Sequence, residues 1–267
     1  MGLIVCPTPI GNLEDVTLRV LSALREADVV ACEDTRRTRT LLDRYGVNAK
    51  LVSYHEHNEQ QRASELVERM LGGATVALVS DAGMPLVSDP GYVLVRACVA
   101  AGVAVEVLPG PSAPLAALVA SALPADRWRF AGFLPRKAGE LSKLLAEPGG
   151  TLIAFESPKR VPATLALLAE IDPERQAAVC RELTKVHEEV VRGSAAELAE
   201  RYADAPPRGE VVLVFGPATV AAEDGPPAGI DELRRLVDAG AKPRVAAQVV
   251  AELTGGSVNR LYSALTE

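Results

Sequence analysis

A run of acids, prolines and glycines between positions 79 and 91 is the part of the sequence best suited to bind a ligand. It follows a strand pattern, Thr75–Val79, and its turn-forming residues cannot continue that strand. In an open α/β sheet, ligands bind beyond the carboxyl ends of the strands, which is where such a loop lies. We therefore expect Asp81, Ala82 and Gly83 to contact a polar small molecule through a carboxylate and free backbone N–H groups.

Two helix starts are also predicted near this loop. Asp89 and Pro90 suit the beginning of a helix, because Asp is a preferred capping residue and Pro fits the first helical turn. Ser112 follows another buried strand pattern and precedes a helix pattern, so it is placed as a cap as well. The loops after these two strands are expected to border one cleft.

Charged residues follow the second strand of the chain, over positions 33–40. They form either the solvated start of a helix or a substrate-facing part of the same rim as Asp81. Further along, His55 and His57 flank Glu56, but the helical H-E-x-x-H spacing is absent and no further ligand cluster follows. We predict no metal site.

Alternating strand and helix patterns predict an α/β protein with two domains and a helical module. We place one α/β domain at 1–113 and a second, with a mixed sheet, at 114–217. The segment 218–229 is rich in Ala, Pro and Gly, as linkers are, and 230–267 carries three short helical patterns. The first strand is followed by a proline-stiffened loop, 7–12, instead of G-x-G-x-x-G, which disfavours a dinucleotide site.

Composition narrows the class of protein. The 267 residues carry a net charge of −7, which disfavours non-specific electrostatic binding to nucleic acid but leaves room for a local basic patch. Four widely spaced cysteines, without metal-ligand spacing, indicate buried free thiols in a reducing compartment. The N-terminus lacks a signal-peptide pattern and no apolar run reaches the roughly 20 residues of a membrane span. We expect a soluble, cytoplasmic protein that does not enter membranes.

Six short motifs occur in an order that is similar to a known family. They are Pro7-Thr8-Pro9-Ile10-Gly11-Asn12, Cys32-Glu33-Asp34-Thr35-Arg36, the 79–91 loop, Leu108-Pro109-Gly110-Pro111-Ser112, Phe155-Glu156-Ser157-Pro158 and Cys180-Arg181-Glu182-Leu183-Thr184-Lys185. Together they resemble the small-subunit ribosomal RNA methyltransferase branch of the tetrapyrrole methylase superfamily, over essentially the whole chain. Met84 and Lys159 depart from that branch, which commonly has a small hydroxyl residue and a histidine at these positions.

The resemblance implies an S-adenosyl-L-methionine (SAM)-dependent enzyme that methylates the ribose 2′-hydroxyl of a cytidine in the decoding region of 16S ribosomal RNA. It further implies two α/β domains with SAM in the cleft between them, and a homodimer. Two alternatives stay open: a C-methyltransferase acting on a tetrapyrrole of the precorrin type, and a non-catalytic, SAM-binding factor that associates with the ribosome.

The resemblance also implies which residues contact SAM. They are Pro9, Asp81, Ala82, Gly83, Met84, Ser112, Phe155, Glu156, Ser157 and Leu213, of which Phe155 and Leu213 are equally suited to be core residues.

A ribose hydroxyl is a poor nucleophile at neutral pH and needs a proton acceptor or a stabilising cation. Glu182 and Lys185 are our first candidates, followed by Glu33 and Asp34. The alternative for the segment around Glu182 is a surface salt-bridge network. Basic residues that would contact RNA phosphates are Arg36, Arg37, Arg39, Arg136, Lys159, Arg160 and Arg181.

Overall fold

The computed structural model describes residues 1–218, 229–254 and 258–266. The chain forms two compact units, Met1–Ala218 and Thr219–Glu267. The predicted linker at 218–229 lies almost wholly outside the described residues. The first unit contains two five-stranded sheets with helices, which confirms the predicted α/β class.

The first sheet is entirely parallel, with strand order β3-β2-β4-β1-β5. Its strands are β1 (Gly2–Val5), β2 (Val29–Cys32), β3 (Leu51–Ser53), β4 (Thr75–Val79) and β5 (Val105–Val107). The helices are α1 (Leu18–Glu26), α2 (Thr35–Arg44), α3 (Glu59–Leu71), α4 (Tyr92–Ala100) and α5 (Ala113–Ser121). Because β1 lies between β4 and β5, the loops that leave the carboxyl ends of these three strands are neighbours.

The first helix begins later than its apolar pattern predicts. Apolar residues at Val16, Val20 and Leu24 predict a helix from Asp15, but Leu13–Asp15 is a short 3₁₀ turn and α1 starts after Thr17. The Thr17 hydroxyl accepts a hydrogen bond from the Val20 N–H (3.2 Å), so the capping side chain sets the true start.

The second sheet is mixed, with strand order β6-β7-β10-β8-β9. Its strands are β6 (Trp128–Phe133), β7 (Thr151–Glu156), β8 (Gln176–Arg181), β9 (Glu189–Ser194) and β10 (Val211–Phe215). Its helices are α6 (Ala138–Ala146), α7 (Val161–Ile171) and α8 (Ala195–Tyr202). The pair β6 and β7 is parallel, and β7-β10-β8-β9 are antiparallel neighbours.

Two predicted strands in this sheet are shorter than expected. The apolar patterns of the sequence predict one strand over Ala177–Leu183 and the next from Val186, but β8 ends at Arg181 and β9 begins at Glu189. Glu182 and Thr184 have φ angles of +50° and +66°, which lie in the left-handed region and are incompatible with a strand.

All four cysteines are buried and free, as the sequence predicts. Burial raises the pKa of the Cys6 and Cys180 thiols to about 12 and that of the Cys98 thiol to about 11. Cys6, Cys32 and Cys98 belong to cores around the first sheet, and Cys180 lies on β8 of the second.

The second unit contains three helices, α9 (Ile230–Asp238), α10 (Pro243–Thr254) and α11 (Val258–Thr266). They pack around a small core that includes Leu233, Ala247 and Leu261. This confirms the three predicted helical patterns. Across the described residues of both units, no helix is long and apolar enough to cross a membrane.

Candidate active site

A cavity of about 350 Å³ lies between loops of the first sheet and the strands β7, β8 and β10 of the second. This volume falls in the usual range for small-molecule sites. Of the predicted cofactor contacts, those on its wall are Ala82, Gly83, Met84, Ser112, Phe155, Glu156 and Ser157. The structure therefore brings both halves of the predicted site together in one place.

The loops after β1 and β4 are clamped to each other. The Thr8 N–H donates to the Gly83 carbonyl and the Gly83 N–H donates to the Thr8 carbonyl, both over 2.9 Å. The Thr8 hydroxyl also donates to the Ser80 carbonyl (3.0 Å). The N–H of Gly83 itself is therefore used by Thr8 and is not one of the free backbone N–H groups expected in this loop. Pro9 is buried next to this clamp and is not part of the cavity wall.

The segment after this clamp is held in an uncommon conformation. Leu86 and Ser88 have φ angles of +73° and +65°, which cost energy for residues other than glycine and are typical of functional loops. Gly91, with φ +140°, is the N-cap of α4, and a Cβ there would lie 2.7 Å from Leu86 Cδ1. Our prediction that Asp89 caps this helix is wrong, because the helix starts two residues later and no side chain caps it.

Asp89 instead lies on the cavity wall, together with other residues of the 79–91 loop. Burial raises the pKa of its carboxyl to about 6, and the nearby charge of Glu33 acts in the same direction. A hydrogen bond with the Ser80 side chain opposes this rise. Asp89 is therefore an acid that changes charge close to neutral pH and faces the ligand space.

Asp81 connects the loop after β4 to the start of α2. Its Oδ1 accepts a hydrogen bond from the Asp34 N–H (3.0 Å), and its Oδ2 lies 3.5 Å from Arg37 Nε. The carboxylate is thus directed at the neighbouring loop and is not on the cavity wall. Its negative charge still reaches Glu33, whose pKa is raised by burial first and by Asp81 second.

Asp34 is the N-cap of α2 and is engaged with its own helix. Its carboxylate accepts from the Arg36 N–H (2.8 Å) and forms an ion pair with the Arg36 guanidinium (2.8 Å). The hydrogen bond from the Arg36 side chain, followed by the one from its N–H, lowers the pKa of Asp34. A carboxylate with a lowered pKa holds a proton poorly, which disfavours Asp34 as the proton acceptor, and its catalytic role stays a prediction.

Ser112 occupies the N-cap position of α5, as predicted, but its hydroxyl does not cap the helix. The side chain lies on the cavity wall next to Ala113 and Pro114. Its hydroxyl can therefore serve a ligand.

Two aromatic rings form part of the opposite wall. The Phe155 ring lies 5.3 Å from the Phe133 ring and 5.0 Å from the Phe130 ring, measured between centroids. Phe155 and Phe133 both line the cavity. Phe133 was not predicted, because an aromatic residue in a strand pattern gives no sign of which face it occupies.

Glu156 is buried, and protein donors satisfy its carboxylate. The Ser157 N–H donates to Oε1 (2.7 Å), and the Thr164 hydroxyl donates to Oε2 (2.9 Å). Arg160 Nη2 lies 3.3 Å from Oε2 and forms an ion pair with it. Glu156 thus fixes the turn between β7 and α7 and shapes the wall, while its carboxylate is taken up by the fold.

Leu213 is fully buried in the core that packs against α7 and α8. It is not on the cavity wall, so the geometry favours the alternative that Leu213 is a core residue. The wall is formed instead by Val211 and Val212 of the same strand.

Glu182 and Lys185 form an ion pair outside the cavity wall. Lys185 Nζ donates to Glu182 Oε1 (2.8 Å) and to Glu210 Oε2 (2.9 Å). Burial opposes protonation of Lys185, but the hydrogen bonds with both glutamates outweigh it and raise its pKa. The hydrogen bond from Lys185 lowers the pKa of Glu182. These shifts disfavour both groups as a general base, and the catalytic role of the pair stays a prediction.

This ion pair holds the turn after β8 against the loop after β1. The Asn12 N–H donates to the Thr184 hydroxyl (3.0 Å), and a Cβ on Gly11 would lie 2.5 Å from Lys185 Cγ. Glu182 also accepts from the Glu210 N–H (2.8 Å). The alternative of a salt-bridge network at this segment is the one that the geometry supports.

The predicted RNA-binding cations differ in how far the protein itself uses their charge. Three of them bind other parts of the protein. Arg160 donates to the Leu134 and Pro135 carbonyls. Arg181 forms an ion pair with Glu189, and Arg37 forms one with Asp81. Arg36 pairs with Asp34 but remains largely exposed. Arg39, Arg136 and Lys159 are exposed and form no ion pair with any residue that the structure describes. Within the same described ranges, no cluster of three or more His, Cys, Asp and Glu side chains could hold a metal ion.

Comparison with known proteins agrees with this architecture. The family model of Tetrapyrrole (Corrin/Porphyrin) Methylases matches residues 2–199. Among solved structures, uroporphyrin-III C-methyl transferase from Thermus thermophilus, complexed with S-adenosyl homocysteine, has a TM-score of 0.57 at 21% identity and covers 81% of this chain and 97% of that chain. Diphthine synthase has a TM-score of 0.60 at 17% identity and covers 80% of this chain and 89% of that chain. These likenesses concern the fold.

Curated relatives are more similar in sequence. A protein of Mesorhizobium japonicum named ribosomal RNA small subunit methyltransferase I is 49% identical, over 100% of this chain and 92% of the relative. A relative with the same name from Escherichia coli O157:H7 is 42% identical, over 97% of this chain and 93% of the relative. Another from Thermotoga maritima is 43% identical, over 80% of this chain and 97% of the relative. The chain belongs to the tetrapyrrole methylase family and, within it, to the group of relatives named ribosomal RNA small subunit methyltransferase I.

Proposed function

We propose that the protein transfers the methyl group of SAM to the 2′-hydroxyl of a cytidine ribose in 16S ribosomal RNA of the small subunit. The observation that carries this proposal is the cavity, which gathers most of the predicted SAM contacts on its wall and has the carboxyl of Asp89 among them. The names of the relatives support the rRNA substrate; the nucleotide and the position on it follow from the resemblance alone.

The residues of the cavity suit SAM, which supplies an electrophilic methyl group on a sulfonium centre. Asp89 offers a carboxylate to the positive charges of the ligand, and Ser112 offers a hydroxyl that its helix does not use. Phe155, Met84 and Val212 supply apolar surface. Holding the two reactants in line is the main task of such a site, because methyl transfer is a displacement that depends on alignment.

Glu33 is the proton acceptor in this proposal. It follows β2 at the same sheet edge as Asp81 and Asp89, and it is half-buried. Burial and the charge of Asp81 raise its pKa, which makes it a better base than Asp34 or Glu182. Glu33→Gln is expected to lower kcat by about 10²-fold or more while leaving SAM affinity unchanged.

Phosphates of the RNA would be held by Arg39, Arg136 and Lys159, which are exposed and have no ion pair among the described residues, and by Arg36, which lies on α2 with Arg39. Such a local patch is compatible with the net charge of −7, because long-range repulsion is screened over about 10 Å at moderate salt.

The protein is also proposed to act as a homodimer in the cytoplasm, where small subunits are found. Leu115 and Val119 lie one turn apart on α5 and are both exposed, as expected for a surface that a second copy covers. Sedimentation of the wild type and of Val119→Glu tests this, since a dimer that uses this face dissociates in the variant.

The decisive experiment is transfer of labelled methyl from SAM to small subunits that lack the modification, followed by digestion to nucleosides. Label in 2′-O-methylcytidine supports the proposal. Label on an added tetrapyrrole precursor and none on RNA would assign the chain to the tetrapyrrole branch. SAM binding without any transfer would leave a non-catalytic, ribosome-associated factor.

A further inference from the structure

Phe133 is an aromatic side chain that the fold leaves unusually open. Its ring lines the cavity, yet 67% of the residue is exposed. An apolar ring at the mouth of a ligand site loses free energy by contact with water, unless another surface covers it during function.

A β-bulge directs this ring. The pairing of β6 with β7 shifts register between Phe130 and Phe133, and Gly132 at the bulge has a φ of +67°. After the shift, Phe133 is opposite Phe155 and lies on the same side of the sheet. Bulges re-aim side chains next to active sites, and this one turns Phe133 toward the cavity mouth.

The bulge also lies close to the loop on the other side of the cavity. A Cβ on Gly132 would be 3.5 Å from Ser88 Oγ, an ordinary contact distance. Ser88 precedes Asp89, so the Phe133 ring borders the same opening as the ionisable acid.

Two free cations accompany the ring. Arg160 donates to the Leu134 carbonyl (3.2 Å) and to the Pro135 carbonyl (2.5 Å), which fastens the segment after Phe133 to the turn that contains Lys159. Arg136 and Lys159 thereby stand on two joined segments, both exposed and without an ion pair in the described part of the chain.

We propose that a nucleobase of the RNA stacks on the Phe133 ring when its ribose reaches the methyl donor, while Arg136 and Lys159 hold flanking phosphates. This inference rests on the proposed function and names the residue that recognises the nucleotide. Aromatic faces with adjacent cations are how proteins hold unpaired bases of single-stranded RNA. The base lies over the outer ring, Phe133, and the inner ring, Phe155, is left to the cofactor.

The test compares the wild type with Phe133→Ala, Phe133→Leu and Phe133→Trp in the full chain. For each protein, kcat and KM are measured with unmodified small subunits, and SAM affinity is measured by calorimetry. Phe133→Ala is expected to lower kcat/KM for subunits by about fivefold to 150-fold, as loss of one stacked base predicts, with unchanged SAM affinity. Phe133→Trp is expected to retain activity, and Phe133→Leu to lose it.

Trp128→Ala is the matched control, since it truncates an aromatic side chain of the same strand that is not on the cavity wall. It is expected to leave kcat/KM unchanged. An equal loss of SAM affinity in Phe133→Ala would overturn the proposal, because the ring would then hold the cofactor. Full activity in Phe133→Ala or Phe133→Leu would overturn it as well. A wild type that is inactive on subunits would instead refute the proposed function.

Discussion

Thr8 and Gly83 exchange two backbone hydrogen bonds of 2.9 Å, although 75 positions separate them in the sequence. The exchange resembles one rung of an antiparallel ladder placed at the carboxyl edge of a parallel sheet. It fixes the loop after β1 to the loop after β4, and the latter supplies one wall of the cavity. The width of the ligand space on this side is therefore set by backbone atoms.

Gly83→Ala tests this clamp. Gly83 has a φ of +80°, and a Cβ there would lie 3.4 Å from Ile10 Cγ2. We expect a loss of about 1–2 kcal/mol in the free energy of unfolding, mainly from the left-handed conformation. We also expect weaker SAM binding, because the wall shifts. Denaturant unfolding and calorimetry measure the two effects, and Gly139→Ala, which has open space and an ordinary φ, is the control.

The Asp89 carboxyl predicts how SAM binding depends on pH. Its pKa is raised to about 6 in the protein without ligand, and the ionised form is the one that attracts a cation. SAM affinity should be constant well above pH 6 and fall by up to about tenfold per pH unit below it. In Asp89→Asn, binding should be weaker at pH 8 and nearly flat between pH 5 and 8. An unchanged pH profile in that variant would exclude Asp89 as the group responsible.

The ion pair of Lys185 predicts a structural role. Lys185→Met leaves Glu182 and Glu210 without their shared cation, and the partly buried position makes this costly. We expect the free energy of unfolding to fall by about 1–2 kcal/mol. The dependence of kcat on pH should keep its shape, which a general base would not allow. If kcat in Lys185→Met no longer changed with pH on one side of its optimum, Lys185 would act as an acid or base in the reaction.

The salt dependence of RNA binding tests Arg136 and Lys159, which have no ion pair within the part of the chain that the structure describes. Arg136→Gln and Lys159→Gln should each reduce the slope of log affinity against log salt, by about 0.7–0.9 for one phosphate contact. Lys50→Gln serves as control, because Lys50 is exposed at the amino end of β3, away from the loops that border the cavity. Filter binding with small subunits at several salt concentrations gives the slopes. Equal slopes for all three variants would place the RNA elsewhere.

The sequence was most informative where a loop must bend. Prolines and glycines marked the segments after β1, β4 and β5, and these do border the cavity. Asp89 was misassigned because the pattern Asp-Pro-Gly before an apolar helix looks like a cap; the left-handed turn at Leu86 and Ser88, which redirects the carboxyl, has no signature in residue type.

In strands that are buried on both faces, the sequence does not reveal which side chains face the cavity. In β10 all five residues are buried, so the sequence alone cannot separate Val212, on the cavity wall, from Leu213, in the core. The partners of Glu182 and Lys185 come from the loop before β10, more than 20 positions away, and only the fold reveals that pairing.

The four buried cysteines give the protein a set of internal reporters. Their high pKa values and burial keep them in the unreactive thiol form, so an alkylating reagent modifies each one only when its surroundings open. Three of them report on the first sheet, and Cys180 reports on the second from a position on the cavity wall. Pulsed labelling followed by peptide mapping can therefore time the opening of each half of the native chain without any engineered probe.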